Sequence, residues 1–332
     1  MRSSFFPRLL NGPFGDPAFY VRLAHRREAL LFDCGDLHAL TPREGLKIAA
    51  VFISHAHIDH LIGFDALLRL FLYQDARLLV YGPPGMADRI GGRLSGYTWN
   101  LIEGYTLELT VREWSVAGGR EVTFRAANAF RPEPGSALPD GEDLLMESDH
   151  FRVRALPLDH GGITSLAFCL EEPLHVAIHK DALEARGYSP GPWLTRFKDR
   201  VRRGDPPGTI LEVPLLAGGE KHLSLGELQG SIAHLERGMK ITYVTDVSPT
   251  PRNLEKIAAF AADSHLLAIE AVFAHSDLDR ARERNHLTAR LAGATGRRAR
   301  ALRLLVFHHS PRYQETPDLL AAEAYAAFAG PG

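Results

Sequence analysis

Residues 54–60 read SHAHIDH, directly behind the apolar run IAAVFI. Neutral imidazole and carboxylate are the ligands that zinc-type cations prefer, and here three histidines and an aspartate fall close together. At a strand end, residues i and i+2 project to one side, so His55 and His57 can both reach one ion. The chain then turns, placing Asp59 and His60 where they can face a second ion beside the first. These side chains cannot close a two-metal site alone. His160 in RALPLDHGG, Asp246 in KITYVTDVS and His308 in LLVFHHS each follow an apolar run and precede small or turn residues. Taken singly, such a residue more often closes a turn. Their repetition after apolar strands groups them on one edge, and an aspartate can bridge two cations with one oxygen each.

Several elements must hold these positions. Short strand-like runs (ALLFD, AAVFIS, RLLVYG, FRVRALPL, SLAFCLE, KITYVTD, HLLAIEAVF, ALRLLVFHH) are separated by helical stretches at 61–74, 251–262 and 286–296. In the first of these helices, apolar residues at 61, 64, 67, 68, 71 and 72 form one face. This alternation predicts one α/β domain over 1–332, its sheets packed between helices. Residues 175–230, rich in Pro, Gly and charge, read as an inserted arm rather than a core element.

The composition narrows the function. With 332 residues a sizeable core needs no disulfide staples. The net charge of −2 excludes a broad electrostatic grip on nucleic acid, so a polyanion must be held by a local patch. The two cysteines, Cys34 and Cys169, lie in apolar stretches and read as buried reduced thiols, which suits the cytoplasm. The N-terminal MRSSFFPRLLNGPFGDP is broken by Pro and Gly before a signal-peptide core could form, and no apolar run approaches membrane-spanning length.

HAHIDH followed by isolated His, Asp and His on later strands resembles the metallo-β-lactamase superfamily, and the finer match is to ribonuclease Z, the endonuclease that trims the 3′ side of tRNA precursors. LLFDCGD resembles that family's first Asp motif, LKIAAVFISHAHIDHLIGFDALL its central motif and YSPGPWLTRFK the Gly-Pro segment of its flexible arm. YVTD resembles the bridging-Asp strand, IEAVF with NHLTARLAG the Glu and His-x-Thr pair, and FHHSPRY the closing motif. GDLHALTP departs from the family's Gly-Glu-Gly-Thr-Gln stretch, Val247 from a Thr, and His309 from a Phe; the last reads as packing or support rather than a ligand.

The resemblance implies an αβ/βα sandwich, two mixed sheets between helical layers. It implies two Zn²⁺ (Mn²⁺ or Fe being alternatives), one held by His55, His57 and His160, the other by Asp59, His60 and His308, with Asp246 bridging. A metal-activated hydroxide would attack phosphorus, with Asp59 orienting it. His286, oriented by Glu270, would protonate the leaving oxygen. Asp33 would support the site without ligating. Arg312, and Arg196, Lys198 and Arg200 of the arm, would contact RNA phosphates. The partners implied are precursor tRNA and, by family analogy, a second copy of the chain. The rivals are a small-molecule hydrolase on this fold acting on a cyclic nucleotide, phosphodiester or lactone, and a binding protein that keeps metal for stability. A redox diiron role is disfavoured because the electron-transfer partner domain is absent.

Overall fold

Runs such as ALLF, IAAVF and LLVY are apolar throughout because they lie inside a sheet covered on both faces. The computed structural model describes residues 4–24 and 26–330. The chain divides into two compact units, one of residues 1–145, 154–169 and 240–332, the other of residues 146–153 and 170–239.

In the first unit, eight strands from Phe5–Leu9 to Pro132–Leu138 form a sheet in chain order. Its centre, Ala29–Phe32, Ile48–Phe52, Arg77–Gly82 and Glu108–Ser115, is parallel, and its flanks are antiparallel. A second sheet of six strands runs in the order Leu304–Phe307, Leu266–Glu270, Lys240–Val244, Ile163–Glu171, Arg152–His160, Leu144–Glu147. Its first three strands are parallel.

A seam of rings joins the sheets. Phe32 and Phe52 of the first meet Phe168 of the second at centroid distances of 5.8 and 5.7 Å, and Phe19 stacks on Tyr243 at 5.5 Å. Helices cover the outer faces. Phe64–Phe71 buries Phe64, Leu67, Leu68 and Phe71, the i, i+3, i+4, i+7 stripe, in the core of the first sheet. Pro251–Phe260, Ala289–Arg298 and Leu319–Ala329 contribute to the core of the second. Pro251–Phe260 starts where Pro251 follows Thr250, whose hydroxyl accepts from the Asn253 N–H. The result is the expected four-layer αβ/βα sandwich. The helix expected from residue 61 begins at Phe64 instead, because residues 58–60 form a 3-10 turn ahead of it.

Gly63, between that turn and the helix, carries a packing constraint. A Cβ there would stand 2.0 Å from the Gly35 carbonyl oxygen, while the Gly63 N–H donates to Cys34 O at 2.9 Å. Gly63→Ala is expected to cost about 1–3 kcal/mol, the usual range for overpacking, read as a lower urea midpoint with unchanged slope.

The second unit has a hydrophobic core of its own. Two antiparallel strand pairs, His175–Ile178 with Ala233–Glu236 and the hairpin Ile210–Pro214 with Glu220–Ser224, accompany the helices Lys180–Ala185, Trp193–Arg203 and Leu225–Ile232. Val176, Trp193, Phe197, Val213 and Leu228 are its buried centre. It reaches beyond 175–230 on both sides, and on the C-terminal side Ala233–Glu236 pairs back with His175–Ile178. Within the basic run, Arg200 pairs with Asp205, Arg202 with Glu172 and Arg203 with Asp149. Among the described residues no helix is long and apolar enough to cross a membrane.

Candidate metal centre

The carboxyl ends of parallel strands are where open α/β sheets gather ligand-binding residues, and the chemistry-bearing side chains lie there. His55 and His57 follow Ile48–Phe52, His160 ends Arg152–His160, Asp246 follows Lys240–Val244, Glu270 ends Leu266–Glu270 and His308 follows Leu304–Phe307. Asp33 and His308 both take left-handed backbone, φ 54° and 60°. Such strain in non-glycine residues persists only where the surroundings enforce it, and it commonly marks functional sites.

Asp246, 2% exposed, sits at the middle. Its Oδ2 is 3.6 Å from both His55 Nε2 and His160 Nε2; its Oδ1 is 3.3 Å from His60 Nε2 and 2.8 Å from His308 Nδ1. Its two oxygens thus face two different sets of imidazoles. Each set has a further member: His57 joins His55 and His160, and Asp59 joins His60 and His308, with Asp59 Oδ2 at 3.4 Å from His60 Nε2 and 3.1 Å from His308 Nε2. All seven sequence-derived candidates therefore converge.

Whether they suit metal ions is tested by their unmet bonding capacity. His55 Nε2 and His60 Nε2 are buried without a hydrogen-bond partner, an arrangement that is costly unless something else binds there. Burial first, then His60, presses His55 down to about 2, so it stays neutral, the form that ligates. Burial opposes the charge of Asp246, but His308 and His60 overcome it and hold the carboxyl well below its usual range. Buried nitrogens without partners beside buried carboxylates fit divalent cations of the zinc type.

The ligating atoms are aimed from behind. Asp33, fully buried, accepts from Ser54 N–H (2.7 Å), Ser54 Oγ (2.9 Å), His60 Nδ1 (2.8 Å) and Tyr243 OH (2.9 Å). This fixes the His60 ring with Nε2 forward. His160 Nδ1 donates to Asn285 O at 2.9 Å, and Asn285 is tied through its Oδ1 to Ser248 Oγ, which also bonds Asp159. His309, buried, donates from Nδ1 to Ala271 O and meets Phe14 edge-on at 5.3 Å, so it packs beside the cluster. Tyr243→Phe is expected to cost about 1.5–3 kcal/mol, since it deletes a hydrogen bond to a charged, buried acceptor; chemical denaturation measures it.

Glu270 and His286 form a pair. His286 Nδ1 is 2.8 Å from Glu270 Oε2, while Glu270 Oε1 accepts from the Val247 and Leu287 N–H groups, both at 3.0 Å. Burial works against a charged His286, but Glu270 outweighs it and raises the imidazole above the ordinary range. Thr288 explains the spacing of NHLT: its hydroxyl caps Ala289–Arg298, anchoring the chain two residues beyond His286.

A cavity of about 550 Å³ opens over the cluster. His57, Asp59, Asp246, His286, His308 and Arg312 line it, and so do Phe14, Asp16, Phe273, Arg280 and Arg284, which the sequence reading did not single out. Asn285, Ser248 and Asp159 also escaped it. Nothing in NGPFGD or DRARERN distinguishes Phe14, Asp16, Arg280, Arg284 and Asn285 from a turn and a solvated helix face. Arg196, Lys198 and Arg200 lie on Trp193–Arg203 of the other unit.

No protein-family model matches the chain. It is 30% identical over 318 residues to "Ribonuclease Z" of Deinococcus radiodurans, covering 92% of this chain and 90% of that one. Among solved structures it resembles the metallo-β-lactamase fold protein YhfI of Bacillus subtilis (16% identity, TM-score 0.54, 97% and 92% covered). It also resembles the short form of human tRNase Z (20% identity, TM-score 0.52, 94% and 92% covered). With a metal-type ligand cluster at the strand ends of this fold and 30% identity over nearly its whole length, the chain belongs to the ribonuclease Z family.

Proposed function

We propose that the protein is a dinuclear-zinc phosphodiesterase that cleaves precursor tRNA on its 3′ side. His55, His57 and His160 would hold one ion and Asp59, His60 and His308 the other, with Asp246 between them. When bound, such an ion pair acidifies water and neutralises charge building on phosphorus. Asp59, part-exposed on the cavity wall, accepts a proton from the attacking water as its oxygen lone pair turns to the phosphorus. His286 gives its Nε2 proton to the departing ribose 3′-oxygen, and Glu270 holds the ring through Nδ1 and stabilises its charged form. Arg312 neutralises phosphate charge at the rim, and the unit of residues 146–153 and 170–239 acts as an inserted arm whose Arg196, Lys198 and Arg200 contact RNA.

The observation that carries this reading is His286, held by the buried Glu270, in the same cavity as the ligand cluster. A metal site kept for stability needs no proton donor, whereas an alkoxide departs poorly without one. The test is hydrolysis by zinc-loaded protein of a precursor tRNA and of bis(p-nitrophenyl) phosphate. Cleavage of the RNA at the 3′ boundary is expected. Turnover of the small ester alone would reject the RNA assignment, and failure on both would reject the hydrolase.

A further inference from the structure

Arg280, Arg284 and Arg312 line the cavity over the ligand cluster, yet none of them makes an ion pair among the described residues. Their neighbours behave differently: Arg282 on the same helix reaches Asp279 at 3.3 Å, and Arg290 reaches Glu323 at 3.5 Å. Arg202 and Arg203 of the other unit are likewise engaged by carboxylates. Arg280 and Arg284 are four residues apart on Leu278–Arg284, so they share one face, where like charges repel. An anion between them would relieve that repulsion. One side of the pair is fixed by the proposed chemistry, because Arg284 precedes His286 by two positions and both line the cavity. At about 550 Å³ the space exceeds what a single phosphate group fills.

We infer that Arg280 and Arg284 clamp the RNA backbone phosphate adjacent to the scissile one, and so determine that the enzyme takes a polynucleotide rather than a small ester. This rests on the RNA reading above. Such contacts position the strand and carry no base information, so their loss weakens binding equally for all sequences. Each phosphate neutralised on a single strand adds about 0.7 to the slope of log affinity against log salt.

The experiment uses the zinc-loaded full chain carrying His286→Ala, so that turnover does not consume the probe. Anisotropy of a labelled single-stranded oligoribonucleotide is followed across a salt series. Adding Arg280→Gln and Arg284→Gln together is expected to weaken binding at least about tenfold at low salt and to reduce the slope by about 0.7, the share of one phosphate. Adding Arg282→Gln instead is expected to leave affinity and slope unchanged, and metal content and thermal midpoint check that the double variant is folded. An unchanged slope in the double variant, the same change in the Arg282 control, or no salt-dependent binding at all overturns the clamp. Assaying the protein with His286 intact separates the two ideas. Salt-dependent binding that needs the arginines, together with cleavage of small esters only, sinks the tRNA reading and leaves the clamp. Cleavage of precursor tRNA with an unchanged slope does the reverse.

Discussion

Asp246→Ala is expected to empty the centre and lower phosphodiester hydrolysis by on the order of 10³-fold or more, about 4 kcal/mol of transition-state stabilisation. The effect is large because one side chain serves both halves of the cluster: Oδ2 faces His55 and His160, and Oδ1 faces His60 and His308. Without it, the remaining donors are two incomplete sets with no shared member. Asp246 is almost fully buried, so its loss also leaves a void among imidazoles that water cannot easily reorganise. Metal analysis of the purified variant and kcat on both substrates measure the outcome, with circular dichroism confirming the fold. Two equivalents of metal retained with activity within tenfold of the parent would remove Asp246 from the bridging role.

His286→Ala should separate proton donation from metal binding. Its ring nitrogens serve Glu270 and the cavity, and no ligand hydrogen bond passes through it. Metal content should therefore stay at the parent level. Cleavage of RNA, whose leaving group is an alkoxide, should fall about 10²- to 10⁴-fold. Hydrolysis of bis(p-nitrophenyl) phosphate should fall less than about tenfold, because nitrophenolate leaves without a proton. Equal losses on the two substrates, or loss of metal, would refute the acid assignment. Glu270 is a poorer probe of the same step, since its Oε1 also holds the Val247 and Leu287 amides, and truncating it would leave both unpaired.

The ligand cluster was legible because metal chemistry restricts both residue type and placement. Imidazoles and carboxylates stood directly after apolar runs, and each of the seven proves to lie at the end of a strand or in the turn beyond it. The sandwich was legible from the alternation of strands and helices together with the family resemblance. Less of the supporting structure could be read. Asn285 contributes its backbone carbonyl to His160, an interaction that any residue type could make. Arg280 and Arg284 differ from Arg282 only in which way the helix turns them, and DRARERN does not encode that by composition. The inserted segment was read as an arm because Pro, Gly and charge interrupt the sheet pattern there. Its apolar residues are widely spaced (Val176, Trp193, Phe197, Val213, Leu228), and they meet only when strands far apart in the sequence, His175–Ile178 and Ala233–Glu236, pair.

The cluster draws on both sheets. Asp33, His55 and His60 follow strands of the first, and His160, Asp246 and His308 follow strands of the second. A cation held between them would therefore cross-link parts of the polypeptide made early and late, stabilising the folded form by mass action. The same arrangement times the onset of chemistry. During synthesis the early imidazoles emerge long before their counterparts, and the coordination set closes only once translation has passed residue 308. A partly made copy has most of the first sheet but no complete centre, so hydrolytic competence arrives with the last strand and not before it.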